Sequence, residues 1–170
     1  HGVANVGDLP LDGVAYIEVY RGSMPADFGQ AGIGGAVNLV TKKGDEKAFA
    51  LAACYGSYDT WKMVGMASGP VGPISFFLLL GFAGSQGDFT YDNDNGTPLN
   101  KGDDFTDQRA NNDFSATDLT FRVSGHVAEW EITGVGTAYV KDQGLPGLGA
   151  SQALDSRLET ERGTMAVAAR

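Results

Sequence analysis

Residues 17–43 read I-E-V-Y-R-G-S-M-P-A-D-F-G-Q-A-G-I-G-G-A-V-N-L-V-T-K-K. An apolar run carries Glu18 and ends at Arg21-Gly22. A loop with Pro25 and Phe28-Gly29 follows. Gly32, Gly34 and Gly35 then open a second apolar run over residues 36–41, which stops at Lys42-Lys43-Gly44. Two apolar runs separated by Pro and Gly predict two short strands, here over 16–20 and 36–40, joined by a loop. The Gly34-Gly35 pair permits positive φ and close backbone approach. Asp45-Glu46-Lys47 forms a charged joint after this unit, dividing the chain into 1–44 and 45–170.

Beyond the joint the pattern changes. About six segments show period-2 character at the length of membrane strands, roughly 9–11 residues. They cover 48–55, 60–68, 74–85, 114–127, 130–141 and 157 to the end. In the first, Phe49, Leu51, Ala53 and Tyr55 share a face. In the third, Ile74, Phe76, Leu78, Leu80 and Phe82 do so, but Phe77 and Leu79 make the other face apolar too. The fourth alternates most cleanly, Leu119, Phe121 and Val123 against Asp118, Thr120, Arg122 and Ser124. Residues 69–73 predict a tight break, because proline cannot donate to a ladder. Residues 126–129 predict a second short turn, and 87–112 and 144–155 predict long loops. Short turns on one side and long loops on the other are the habit of outer-membrane barrels. Trp61, Tyr55, Trp130 and Tyr139 fall near strand ends, where aromatic girdles sit.

Composition narrows the classes. The chain has 170 residues, a formal net charge of -9, 25 glycines and 19% charged residues. An acidic chain lacks the basic face that displaces counterions from phosphates, which argues against a nucleic-acid partner. A single cysteine, Cys54, excludes an internal disulfide and any cysteine-cluster metal site. No apolar run approaches the roughly 20 residues of a spanning helix. No secretory leader opens the chain and its last residues lie inside a strand pattern, so an internal piece of a longer protein is expected. No H-E-x-x-H, Walker A or G-x-S-x-G element occurs, and the glycines of residues 29–35 lack the G-x-G-x-x-G order, so no enzyme is expected.

The 17–43 segment closely resembles the end of the plug domain of TonB-dependent outer-membrane receptors. Ile17, Glu18, Arg21, Gly22, Gly29, Gly34, Gly35, Asn38, Thr41 and Lys42 match the family pattern. Val37 replaces the usual isoleucine, Ser23 the usual proline and Phe28 the usual tyrosine, and Ala31 lies one position early. The resemblance implies a mainly β fold: the C-terminal part of a plug, then about six antiparallel strands of a large transmembrane β-barrel. Twenty-two-stranded transporters of this kind have a plugged lumen, and six strands cannot close around a plug. It further implies a bacterial outer-membrane location, lipid around the wall, and the TonB energy-transducing complex as partner through an N-terminal part. The cargo would be a scarce ligand such as a ferric siderophore or a cobalamin, and no resident cofactor is implied. Glu18 and Arg21 would help lock plug to wall, and Gly22, Gly29, Gly34 and Gly35 would shape the plug turns.

The segment 88–113 is rich in carboxylates, and Asp92, Asp94, Asp103 and Asp104 are candidate calcium ligands, since calcium takes six to eight oxygens. Their spacing does not fit an EF-hand, and a solvated loop is the favoured reading. Phe89, Tyr91 and Phe105 would touch a ligand or pin the loop. Asp118, Arg122 and Glu131 would face the lumen. A soluble β-rich module binding carbohydrate or calcium, and a small structural outer-membrane barrel, are the alternatives.

Overall fold

The computed structural model describes residues 11–22 and 34–170, and every element it contains there is a β-strand. Two units are present. The first is an antiparallel pair, β1 (Val14–Gly22) and β2 (Gly34–Thr41), in the register Glu18↔Asn38 and Gly22↔Gly34. The second is a six-stranded antiparallel sheet. Its members are β3 (Ala48–Tyr55), β4 (Trp61–Val71), β5 (Ile74–Ser85), β8 (Phe114–Val127), β9 (Trp130–Gly144) and β12 (Arg157–Ala169), in the order β12-β9-β8-β5-β4-β3. Two small hairpins project from one end: β6 (Thr90–Asn93) with β7 (Phe105–Gln108), and β10 (Gly147–Leu148) with β11 (Ser151–Gln152). Among the described residues no helix is long and apolar enough to cross a membrane, which leaves strand crossings open.

All six expected strands form; β3, β5 and β8 keep the expected bounds, β4 starts one residue later and runs on to Val71, β9 runs on to Gly144, and β12 ends at Ala169. β4 runs through Pro70, which pairs with Ser75, so the break expected at 69–73 shrinks to Gly72-Pro73. Proline is tolerated there because the β3 pairing has already ended at Ala48↔Ser68, and the missing N–H interrupts no ladder on that side. Gly72 takes φ +61°, the geometry of a two-residue hairpin with glycine at its first central position. The 126–129 turn likewise tightens to Ala128-Glu129, with Val127 paired to Trp130. The loops expected at 87–112 and 144–155 contain the two small hairpins, whose strands of two to four residues are too short to show periodicity among so many carboxylates.

The sheet has one covered and one open face. Ser75, Phe77, Leu79 and Gly81 of β5 point to the covered face, where the N-terminal hairpin lies, and Phe77 and Leu79 are 1% exposed. Gly13 packs on Phe77 and Thr120, with a built Cβ 3.5 Å from each side chain. Gly44 approaches Phe76 so closely that any side chain would overlap its backbone. On the open face Leu78, Leu80 and Phe82 are 40–42% exposed, and no layer covers them among the described residues. Cross-strand register extends this face into apolar rows. One runs Phe49, Ala67, Leu78, Phe121, Gly136, Met165, and the next Leu51, Gly65, Leu80, Leu119, Ala138, Gly163. Charge appears on this face only beyond them, with Glu161 opposite Val140 and Glu159 opposite Asp142.

Aromatic side chains mark both ends of the open face. Tyr55 and Trp61 are paired at the hairpin-bearing end, the indole lying over Gly84, and Trp130 is exposed at the other end. Tyr139 departs from the expected girdle. Its register partners Asp118 and Arg162 put it on the covered face, with the Arg162 guanidinium 5.8 Å above its ring.

Candidate functional site

Two regions concentrate polar chemistry: the seam between the N-terminal hairpin and the sheet, and the cap formed by the small hairpins. At the seam, residues 11–13 turn into β1, with the Val14 amide donating to the Leu11 carbonyl at 3.0 Å. The turn is tied to the end of β2 by Lys42, whose backbone N–H donates to Gly13 and whose Nζ donates to the Asp12 carbonyl at 3.2 Å. This aims the Asp12 carboxylate at the sheet, where Lys62 Nζ of β4 meets Oδ2 at 2.7 Å. That ion pair crosses from hairpin to sheet with both side chains partly exposed. A cavity of about 310 Å³ lies beside it, between Val14, Leu39 and Thr41 of the hairpin and Thr120, Thr137 and Tyr139 of the sheet. A second, of about 290 Å³, is lined by Asp12, Lys62, Cys54 and Leu79. Apolar surface makes up most of both linings; the second also carries Asp12, Lys42 and Lys62.

The expected site residues fall as follows. Glu18 stays within the hairpin, accepting from Asn38 Nδ2 at 2.8 Å and Tyr20 Oη at 3.0 Å. The hydrogen bond to that carboxylate pushes the Tyr20 phenol above its ordinary pKa. Arg21 is exposed, opposite Gly35. Gly22 and Gly35 adopt φ +86° and +132°, and a Cβ on Gly35 would collide with the Tyr20 carbonyl, so glycine is required there. Gly34 opens β2, and Gly29 lies outside the described residues.

The four aspartates considered for calcium are not gathered. Asp94 caps the Gly96 amide at 3.1 Å, Asp103 accepts from Thr97 Oγ1 at 2.8 Å, Asp104 pairs with Lys101 at 3.3 Å, and Asp92 is exposed. Among the described residues no three carboxylate, histidine or cysteine groups converge as a metal site.

The cap is organised around Asp107, which the sequence does not set apart from the other carboxylates of its segment. Asp107 Oδ1 accepts the Gln108 amide at 2.8 Å, and Oδ2 accepts from Tyr91, Asn93 and Gln152, each at 3.2 Å. These bonds, the Gln108 amide first, hold its carboxyl below the usual aspartate range. Gln152 belongs to β11, so one carboxylate joins both hairpins. Asn93 is buried and also donates to the Gly149 carbonyl at 3.1 Å. Arg157 grips Asp113 at 2.9 Å and Asp142 at 2.9 Å, and its hydrogen bond lowers the Asp113 pKa. Phe89 stacks edgewise between Tyr58 and Tyr91 at 5.9 and 6.3 Å and pins the loop, whereas Phe105 is exposed.

Asp12, Lys62 and Asp107 escape sequence reasoning for different reasons. Asp12 precedes the strand pattern. Lys62 carried one usable signal, as a lone charge at the start of an apolar alternating strand. Asp107 is one of seven carboxylates in its segment, and only the pairing of two hairpins distinguishes it. No protein-family model matches the chain, and no curated protein matches it.

Proposed function

We propose that the chain supplies the end of a plug and the first wall strands of an outer-membrane, energy-coupled receptor of the TonB-dependent class. Its ligand would be a scarce chelate such as a ferric siderophore, or a cobalamin. The observation that carries this reading is the two-sided apolar character of β5. Phe77 and Leu79 are sealed beneath the N-terminal hairpin, while Leu78, Leu80 and Phe82 face outward without cover among the described residues. A soluble sandwich buries its apolar face and turns the polar one to water. Here the polar groups, Asp118, Arg122, Thr137 and Lys62, lie on the covered side and the uncovered side is greasy. Lipid is the solvent that suits such a face.

Dimensions support the same reading. On β9 the open face is uncharged from Trp130 to Val140. Ten residue steps of about 3.4 Å, tilted at roughly 45°, project to about 24 Å, close to the roughly 25 Å apolar band of such barrels. The ten matched positions of residues 17–43 supply the plug assignment and the coupling partner. In this arrangement Arg21 would reach wall strands other than the six described, and the cap with its knitted hairpins would face outside.

The test is to express the complete open reading frame that contains residues 1–170 and measure ligand uptake in cells with and without TonB. The expected outcome is an outer-membrane protein whose uptake is lost without TonB. A protein recovered from the periplasm without detergent contradicts the proposal.

A further inference from the structure

Asp118 sits on the covered face of β8, paired in register with Gly81 of β5. Because Gly81 has no side chain, the Asp118 carboxyl group folds across it, and its atoms are the nearest neighbours a Cβ there would meet. One oxygen, Oδ2, is buried without a hydrogen-bond partner, an arrangement that costs free energy. The direction in which the carboxyl leans is informative. Gly81 lies between β8 and β4, and β4 carries Lys62 two positions from the residue opposite Gly81. Around the path from Lys62 to Asp118 the same face holds Val64, Gly81, Ala83 and Ala116. The diagonal crosses β5 between Gly81 and Ala83, the two smallest kinds of residue, and the four-carbon stem of a lysine gives its ammonium a long reach.

We propose that Lys62 is a two-position latch. With the 11–13 turn seated, its ammonium pairs with Asp12 and holds the hairpin on the sheet. When the turn leaves, Asp118 receives the ammonium, so that unseating does not strand a lone cation on an apolar wall. Asp118 is therefore a positioning residue for the unseated state, and its unpartnered oxygen in the seated state is the vacancy that the lysine fills. The exchange lowers the free-energy difference between the two states and makes release of the hairpin reversible. It rests on the receptor reading only in supplying a reason for the hairpin to move.

The test uses the full-length protein in its native membrane, with Cys54→Ala and Gly13→Cys. A Cβ at position 13 sits in ordinary contact with Phe77 and Thr120, so the thiol placed there reacts with a maleimide only when the turn lifts. Asp12→Asn is expected to speed labelling. Asp118→Asn is expected to slow it by roughly threefold, the scale of one partly exposed ion pair. In a Lys62→Met background Asp118→Asn is expected to leave the rate unchanged. An Asp118→Asn effect that persists without Lys62, or no effect with Lys62 present, overturns the latch. Failure of the receptor reading is seen separately, as a protein that needs no membrane, and the labelling comparison can then be made in solution.

Discussion

Asp107 illustrates how one side chain organises a surface that looks unstructured in sequence. Its two oxygens take four hydrogen bonds from β6, β7 and β11, and this fixes two hairpins as one cap. Its folded-state pKa is lowered, so its stabilising contribution is complete above the unfolded aspartate value of about 3.9 and is lost as pH falls through the lower folded value. Asp113, lowered by Arg157, acts in the same direction. Amide exchange should therefore keep both hairpins protected from neutral pH down to the ordinary aspartate range, and below it they should loosen together. Asp107→Ala should abolish that joint protection at neutral pH. Independent loosening of β6–β7 and β10–β11 would contradict a shared hub. None of this was legible beforehand, because seven aspartates in one segment look alike until pairing selects among them. Glu18 and Arg21, by contrast, stood out through the family pattern, yet the residues that carry an ion pair from hairpin to sheet among the described ones are Asp12 and Lys62.

At the scale of elements, period-2 patterning and turn signals together located all six long strands, and β5, apolar on both faces, was delimited by its flanking breaks. What alternation could not give was the length of the turns. Pro70 suggested a break, but its place beyond the end of β3 makes it harmless, and the turn is set by Gly72 instead. That position has φ +61° with open space around a built Cβ, so Gly72→Ala adds backbone strain without collision. The expected cost is about 1–2 kcal/mol, measured as a fall in the urea midpoint of the detergent-solubilised protein. Gly163→Ala is the control. It also meets nothing within 4 Å, and its φ is not positive, so it should be close to neutral. Equal losses at the two positions would show that the strain argument is wrong. Tyr139 marks the limit of reading by position along a strand. It lies near an end, but parity sends it to the covered face beneath Arg162.

For the whole molecule, the sequence presented β5 as apolar on both sides and could not separate a buried strand from a lipid-facing one. In three dimensions one side is sealed by the N-terminal hairpin, and the other is bare among the described residues. The six-stranded sheet also leaves β3 and β12 as edges, which large barrels close by adding strands. What touches the bare side decides between a lipid-facing wall and a covered sheet. The most direct measurement is a nitroxide scan of β5, one residue at a time over 74–85, in membranes containing the full-length protein. Collision rates with oxygen, which concentrates in lipid, and with a water-soluble nickel chelate would be compared. A lipid-facing wall gives a period of two. Ile74, Phe76, Leu78, Leu80 and Phe82 should show high oxygen and low nickel accessibility, and Ser75, Phe77, Leu79 and Gly81 low accessibility to both. High nickel accessibility at Leu78 and Leu80, or no alternation along the strand, would contradict a lipid-facing wall.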